Sequence, residues 1–373
     1  STAVSREFGR DLDLSGLAGL TEEAYEAFEP IQWPVPYGAP PGGRFFEDGG
    51  FFHLDGKARM LPLSAPELLD NTGFIFNTGR IRDQWHTMTR TGRAPRLGHH
   101  LAEPYVEVHP NDAQTLGVAP ADLMQVTSDL GTGIFRVLMT ERVQRGHLFA
   151  PMHWTRQLAT SSLANAPVAA LTDPISGQPA LKGSRVSAER FNAAWYGFVA
   201  SDQLLEPKSD YAAVSRMATG WKAEIAGRTA LDQPRELFLD LIGSQAGEVG
   251  QFYDPKTQLM RFALFDEGLL RAVFFLGPRP VALGRAHVAS LIGSEVSLMD
   301  ALSGRPGGNV EDVGAIVCSC MSVGSNALQR AILDGACSVD ELGQATGAGT
   351  NCGSCKPELA ALLGQMKQPL AAE

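Results

Sequence analysis

All five cysteines of this 373-residue chain lie between positions 318 and 355, and four of them form two close pairs, Cys318-x-Cys320 and Cys352-x-x-Cys355. Two neighbouring thiol pairs constrain the fold around them more than any other feature here. Disulfide frameworks belong to small secreted domains, and this chain is not small. Pairs that converge on one point read better as a four-thiolate metal site. The candidates are Zn(II) in a tetrahedron of thiolates or an iron–sulfur cluster, with purely structural thiols as the third reading. Zinc ribbons usually repeat C-x-x-C in two turn knuckles, whereas here the first pair is C-x-C and helical signals fill the interval. Leu328, Ala331 and Ile332 share one helical face, Gly335 is a stop signal, and Ser338-x-x-Glu341 is a capping box that opens a second short helix. Pro357 stands near the start of a third, where a missing N–H costs nothing. Between them runs GAGTNCGSC, in which Gly347, Gly349 and Gly353 let backbone N–H groups approach the sulfurs of an anionic core. Cys337 is off the pattern and is expected to be a small buried residue at a helix end.

A second stretch, FIFNTGRIRDQWHTMTRTGRAPRLGHH (residues 74–100), reverses the local sign of the chain. The formal net charge is −10, which argues against a general nucleic-acid role, yet Arg80, Arg82, Arg90, Arg93 and Arg96 face a single acid, Asp83. Phe74-Ile75-Phe76 reads as a buried strand and Asn77-Thr78-Gly79 as a turn after it. Arginine forks and Thr hydroxyls at a strand end suit a phosphate-bearing ligand, against the alternative of a solvated basic loop. The segment is no Walker A motif and lacks G-x-G-x-x-G.

Beyond this basic segment the chain is rich in strands. YVEVHP alternates, NDAQTLGV is a short helix ending at Gly117, DLMQVTSDLGTGIFRVLMT is two strands around Asp129-Leu130-Gly131, and GHLFAPMHW is another strand. Short strands with one small helix predict a compact barrel rather than a doubly wound sheet. Farther on, GQFYDPKTQLMRFALFDEGLLRAVFFLGP reads as three strands, with helical signals in ALGRAHVASLIG. With 44% apolar and 19% charged residues the chain is globular, and no apolar run is long enough to span a bilayer. Among single residues, Trp85 and Trp154 are candidate core aromatics, His99 and His100 loop polar residues, His53 a structural residue in an FFHLDGKARM hairpin, and Asp173 a turn cap before Pro174.

Two resemblances sharpen these readings. The C-x-C and C-x-x-C pairs with GAGTNCGSC and its trailing proline resemble the bacterioferritin-associated ferredoxin-like [2Fe–2S] domain over about residues 314–366. That resemblance implies Cys318, Cys320, Cys352 and Cys355 as the metal ligands. NTGRIRDQWHTMTRTG, EVHPNDAQTLGV, LFAPMHW and NAPVAALTDPISGQPALK resemble, in order, the C-terminal domain of the prokaryotic molybdopterin oxidoreductases, a double-psi β-barrel. The DQWHTMTRT form, with its companion cluster domain, most resembles the bacterial assimilatory nitrate reductases.

This resemblance implies that Thr78, Gly79, Arg80, Gln84, Trp85, His86, Thr87 and Thr89 surround a pterin and its phosphates, with Asn165 and Lys182 near the pterin or guanine. No catalytic residue is assigned. The implied cofactors are molybdopterin guanine dinucleotide (Mo-bis-MGD) and a [2Fe–2S] cluster, with a [4Fe–4S] cluster expected only in N-terminal domains that this chain does not include. The expected fold is multi-domain α+β. Residues 1–60 are the tail of a preceding domain with a Pro/Gly-rich linker, 61–190 a dinucleotide-binding barrel, 191–310 an α+β middle module, and 311–373 a small helical [2Fe–2S] domain joined after SGRPGGN. The middle module loosely resembles the interface domains of flavin-linked reductases, against the reading of a spacer. The expectation is the C-terminal portion of a cytoplasmic nitrate reductase, inactive alone. Its partners would be the enzyme's N-terminal catalytic domains, an oxoanion substrate and a reductase of flavoprotein or ferredoxin type, with no nucleic acid and no membrane. The alternatives are a related enzyme acting on formate or another oxoanion, or a non-catalytic electron-transfer or docking module.

Overall fold

Backbone polar groups need partners, and how each segment finds them divides this chain. The computed structural model describes residues 13–38, 40, 42–62, 73–243, 246–307 and 313–367, and its two compact units comprise residues 1–68 and 69–373. Residues 63–72, at the start of the expected barrel domain, and 308–312, where SGRPGGN ends and the cluster domain is expected to begin, lie outside the described residues. In the first unit, helix α1 (Glu22–Glu26) is capped by Thr21, whose hydroxyl accepts the Ala24 N–H at 3.2 Å. Phe46 stacks on Phe51 with centroids 4.8 Å apart. FFHLDGKARM does not form the expected hairpin. The Phe51 N–H donates to Gly56 O at 2.8 Å and the Gly56 N–H to His53 O at 2.9 Å, which folds the stretch into local turns without a ladder.

The second unit begins with a closed six-stranded barrel. Its strands are β1 (Phe74–Gly79), β2 (Tyr105–Val108), β3 (Leu123–Ser128), β4 (Gly131–Met139), β5 (His147–Pro151) and β6 (Lys182–Arg190), in the order β1-β5-β2-β4-β3-β6. β1 pairs with β5, and β2 with β4, in parallel; the other ladders are antiparallel. Closure leaves no free edge. Alternate residues fill the interior: Phe76, Val106, Val108, Met124, Val126, Phe135, Leu148 and Ala150 are buried there. The turn at Asp129-Leu130 joins β3 to β4 directly, with Ser128 opposite Gly131. Helix α2 (Pro110–Leu116) starts on Pro110 and ends at Gly117 with φ 65°, as its sequence signals require. Asn77-Thr78-Gly79, a turn by composition, instead continues β1. Pairing with Phe149, Ala150 and Pro151 on β5 overrides the local turn propensity.

A second sheet packs beside the barrel. It comprises β7 (Trp195–Ser201), β8 (Tyr211–Arg216), β9 (Trp221–Gly227), β10 (Glu248–Asp254), β11 (Leu259–Asp266) and β12 (Leu269–Gly277), antiparallel in the order β10-β11-β12-β7-β9-β8. Helix α3 (Pro234–Ile242) covers one face, with Phe238 against Phe262 and Phe274 at 5.8 and 6.1 Å between centroids. Helices α4 (Arg285–Leu291) and α5 (Leu298–Ser303) cover the other through Val288, Ala301 and Leu302. With both faces covered, every residue of β7 is buried.

The last lobe is a two-strand ribbon, β13 (Ile316–Cys318) and β14 (Val323–Gly324), followed by α6 (Ser325–Leu333), α7 (Val339–Thr346) and α8 (Lys356–Lys367). Leu328, Leu342, Leu359 and Leu363 form its core. The capping box is present: Ser338 accepts the Glu341 N–H at 3.2 Å, and Glu341 accepts the Ser338 N–H at 3.1 Å. Cys337 is exposed rather than buried, because that carboxylate also takes the Cys337 N–H at 2.6 Å and holds the inter-helix turn at the surface.

A buried polar contact joins barrel to sheet. Glu103 Oε2 accepts from Arg136 Nε and Nη2 at 3.0 and 2.9 Å and from the Tyr211 hydroxyl at 2.6 Å. Burial alone would raise the Glu103 carboxyl, but the Arg136 charge and these hydrogen bonds hold it below its ordinary value. Glu103→Leu leaves the guanidinium buried without its counter-ion and should cost about 3 kcal/mol in a denaturant melt. Because the folded carboxyl is depressed, its contribution is present at neutral pH and is lost as pH falls below about 4.5, the value expected when unfolded. The variant should lack that acid-sensitive limb.

Candidate functional site

The loop leaving β1 carries most of the residues singled out in the sequence. Its first constraint is Gly79, where an added Cβ would lie 2.8 Å from the Phe149 ring. Its second is His153, fully buried within the LFAPMHW stretch, whose sequence does not mark it as a loop clamp. Nε2 of His153 accepts the Ile81 N–H at 2.9 Å, and Nδ1 donates to the His86 carbonyl at 2.7 Å. The ring is therefore a neutral imidazole with its proton on Nδ1, and burial, the largest influence on it, pushes its pKa down. It clamps both ends of a short arc, whose last residue, His86, has φ 41°, with Met88 just beyond it at 60°. Such left-handed geometry in side-chain-bearing residues persists only where the surroundings enforce it.

The arc presents two faces. On one, Arg80 lies over the exposed Trp85 ring, 5.6 Å from its centroid, and Trp85 meets His86 edge-on at 4.6 Å. Trp85 is thus a surface platform and not a core aromatic, whereas Trp154 is buried. Thr87 and Thr89 are exposed beside them. Thr78 is buried, and its hydroxyl already donates to Leu181 O at 2.9 Å. Lys182 sits across the ladder from Asn77, at the same end of β1. Asn165 is exposed in the β5–β6 connection and makes no side-chain hydrogen bond to the others among the described residues. Asp173 is a turn cap, with Oδ1 accepting the Ile175 and Ser176 N–H groups at 3.0 and 2.7 Å.

Buried polar atoms of Gln84 (Oε1), Trp154 (Nε1) and Ser162 (Oγ) meet no partner among the described residues. The Gln84 acceptor belongs to the same arc as the exposed Arg80 guanidinium, and an unmet polar atom with a cation on one loop fits a polar ligand that carries phosphates.

On the other face, Arg82 and Asp83 turn away from that ligand face. Arg82 Nη2 donates to Val317 O at 2.6 Å and pairs with Glu358 Oε2 at 2.8 Å. The basic run is therefore divided, and Arg82 belongs to the contact with the cysteine lobe. His100 also departs from a free loop residue, with Nδ1 2.9 Å from Asp83 Oδ2. His99 remains exposed.

In the lobe the four thiols come together. Cys318 and Cys320 sulfurs are 3.7 Å apart, as are those of Cys320 and Cys352, and Cys318 is hydrogen-bonded to Cys355. Cys318 and Cys355 are buried; Cys320 is half-buried and Cys352 exposed. Burial alone would raise the Cys318 thiol, but the Gly349 and Met321 N–H groups and the neighbouring thiols outweigh it and hold it below its usual value. Burial, reinforced by Cys318, pushes Cys355 up to about 11. Gly347, Gly349 and Gly353 have φ of 80°, 79° and 73°, conformations open to glycine; of the three, Gly349 brings its N–H to the sulfurs, while the Gly347 N–H donates to Gly343 O at 2.8 Å. Four thiols with N–H donors aimed at sulfur suit an anionic multi-iron core.

His153→Leu removes both clamps and should cost roughly 1–3 kcal/mol in urea unfolding. Because burial depresses the folded imidazole, the unfolded chain takes up a proton first. Wild-type stability should therefore decline as pH falls below about 6.5, and His153→Gln should flatten that slope.

Comparison with known proteins agrees with this geometry. Residues 74–185 match the Molydopterin dinucleotide binding domain, and residues 316–365 the BFD-like [2Fe-2S] binding domain. The chain is 36% identical over 377 residues to a nitrate reductase of Klebsiella oxytoca, covering 95% of this chain and 41% of that protein. It is 30% identical over 213 residues to a nitrate reductase of Shewanella frigidimarina, covering 50% and 23%. It is also 30% identical over 164 residues to an F420-dependent formate dehydrogenase subunit alpha of Methanocaldococcus jannaschii, covering 43% and 24%. The chain thus spans less than half the length of these relatives. It carries a molybdopterin dinucleotide-binding domain and a [2Fe–2S]-binding domain. No helix among the described residues is long and apolar enough to cross a membrane.

Proposed function

We propose that this chain supplies the cofactor-binding and electron-accepting portion of a molybdenum-dependent oxidoreductase that reduces nitrate to nitrite. The observation that carries this reading is the alignment with the Klebsiella nitrate reductase across 95% of the chain, which takes in barrel, middle module and cysteine lobe alike. The formate dehydrogenase alignment covers 43% of the chain and keeps formate as the second reading.

In this reading residues 61–190 form the dinucleotide domain, 191–310 dock the lobe that follows, and 311–373 form the [2Fe–2S] domain. When bound, the molybdenum cofactor supplies oxygen-atom transfer and the cluster one-electron relay. The protein's part is positional. Arg80 would meet the phosphates, Gln84, Trp85 and His86 would surround the pterin, and Asn165 and Lys182 would lie near the pterin or guanine. Cys318, Cys320, Cys352 and Cys355 hold the cluster. The partner is a flavoprotein or ferredoxin-type reductase that reaches the open Cys320 and Cys352 side.

Chain purified without oxygen should be brown, with about two irons per chain. Each of the four cysteine-to-serine changes should lose the colour, and Cys337→Ala should keep it. Stoichiometric zinc without visible absorption overturns the cluster assignment. Arg80→Ala should weaken retention of the guanine dinucleotide by roughly 1.5–3 kcal/mol, read as released nucleotide per chain. In the enzyme that contains this chain, turnover of formate with no turnover of nitrate favours the second reading.

A further inference from the structure

The contact between Arg82 and the cysteine lobe lies outside the dinucleotide face and outside the four ligands. Its members come from three places. Arg82 and Asp83 belong to the clamped arc after β1, His100 to the loop before β2, and Val317, Ser319 and Glu358 to the cysteine lobe. Arg82 Nη2 reaches Val317 O at 2.6 Å and Glu358 Oε2 at 2.8 Å, and Asp83 Oδ2 accepts from Ser319 Oγ at 3.3 Å. His100 Nδ1 lies 2.9 Å from the same Asp83 oxygen and Nε2 4.0 Å from Glu358. Val317 and Ser319 flank Cys318, and Glu358 follows Cys355 by less than one helical turn. The network thus holds the backbone beside Cys318 and a side chain within one turn of Cys355, and leaves Cys320 and Cys352 on the open side.

The charges of Arg82 and Asp83 are screened little, whereas Glu358 is partly open to solvent. Side-chain exposure is 17% for Arg82, 7% for Asp83 and 36% for Glu358. A buried charge beside a redox group acts on it strongly, because little water intervenes. A cation favours the state with one more electron, and an anion disfavours it.

We propose that Arg82 and Asp83 are positioning residues that lock the [2Fe–2S] lobe onto the dinucleotide-binding arc and set the cluster's reduction potential by their opposed charges. This rests on the cluster assignment above, but on neither the substrate nor the dinucleotide contacts. The two faces of one arc then have separate duties. Arg80, Gln84, Trp85 and His86 address the dinucleotide, while Arg82 and Asp83 fix where the electron carrier sits relative to it.

The test is a redox titration of the cluster in the full chain, followed by electron paramagnetic resonance of the reduced state, for wild type, Arg82→Gln, Arg82→Lys and Asp83→Asn. Removing the guanidinium leaves Asp83 and Glu358 unopposed, so Arg82→Gln should lower the midpoint potential. Asp83→Asn should raise it, and Arg82→Lys should stay near wild type. All four should keep full iron content and one shared resonance signature. Shifts of the same sign in Arg82→Gln and Asp83→Asn mean that the lobe has come away from the barrel for want of packing, which overturns the charge role. Unmoved potentials overturn it as well. A wild-type chain that assembles no cluster overturns the assignment on which the latch rests, and the latch with it.

Discussion

Much of this molecule depends on one imidazole. His153 stands just past the end of β5, fully buried, and holds the Ile81 N–H and the His86 carbonyl at once. A loop leaving a strand ordinarily has many conformations, and ordering it costs about 1–2 kcal/mol per residue. Two hydrogen bonds from one rigid ring remove that freedom over the arc from Ile81 to His86. The parallel β1–β5 ladder places the histidine there, because Gly79 lies opposite Pro151 and the Met152 N–H donates to Gly79 O at 2.9 Å. Barrel closure, loop shape and the direction of every side chain between Arg80 and His86 are thus one problem with one solution.

From that shape comes a separation of charge within an acidic protein. Arg80 stays exposed on an aromatic platform, while Arg82, two residues later, is drawn inward to a carbonyl and a carboxylate. In an extended strand Arg80 and Arg82 would share a face, but the chain turns at residues 82–83, so a single stretch serves a ligand face and a docked lobe together. The Glu103–Arg136–Tyr211 contact does similar work between barrel and sheet. In both places a buried carboxylate is tolerated because several donors converge on one of its oxygens.

The sequence is most legible where chemistry is local. The capping box at Ser338, the Gly117 helix stop and the Asp129-Leu130 turn depend on residues within a few positions of one another, and all are present. The two cysteine pairs carry their meaning in their spacing. Long-range contacts are harder to read. Asn77-Thr78-Gly79 has turn composition, and pairing with β5, some seventy residues on, and with Lys182 of β6 makes it a strand. Cysteine is usually buried, which makes Cys337 read as a core residue, but its position is set by the Glu341 carboxylate reaching back to its N–H. The role of His153 depends on two backbone groups far away in sequence, and nothing near it signals that. By sequence Arg82 is equivalent to the other four arginines. A carbonyl and a carboxylate more than two hundred residues downstream set it apart.

The central claim is that the arc after β1 and the cysteine ribbon form a single cooperative body. Native-state amide exchange in low denaturant tests it most directly, because segments that open together share one opening free energy and one denaturant dependence. In the cluster-loaded chain, amides of residues 81–92 and of 316–319 should exchange through the same opening. A cysteine ribbon that exchanges through its own low-energy opening, while residues 81–92 stay protected, would contradict the account.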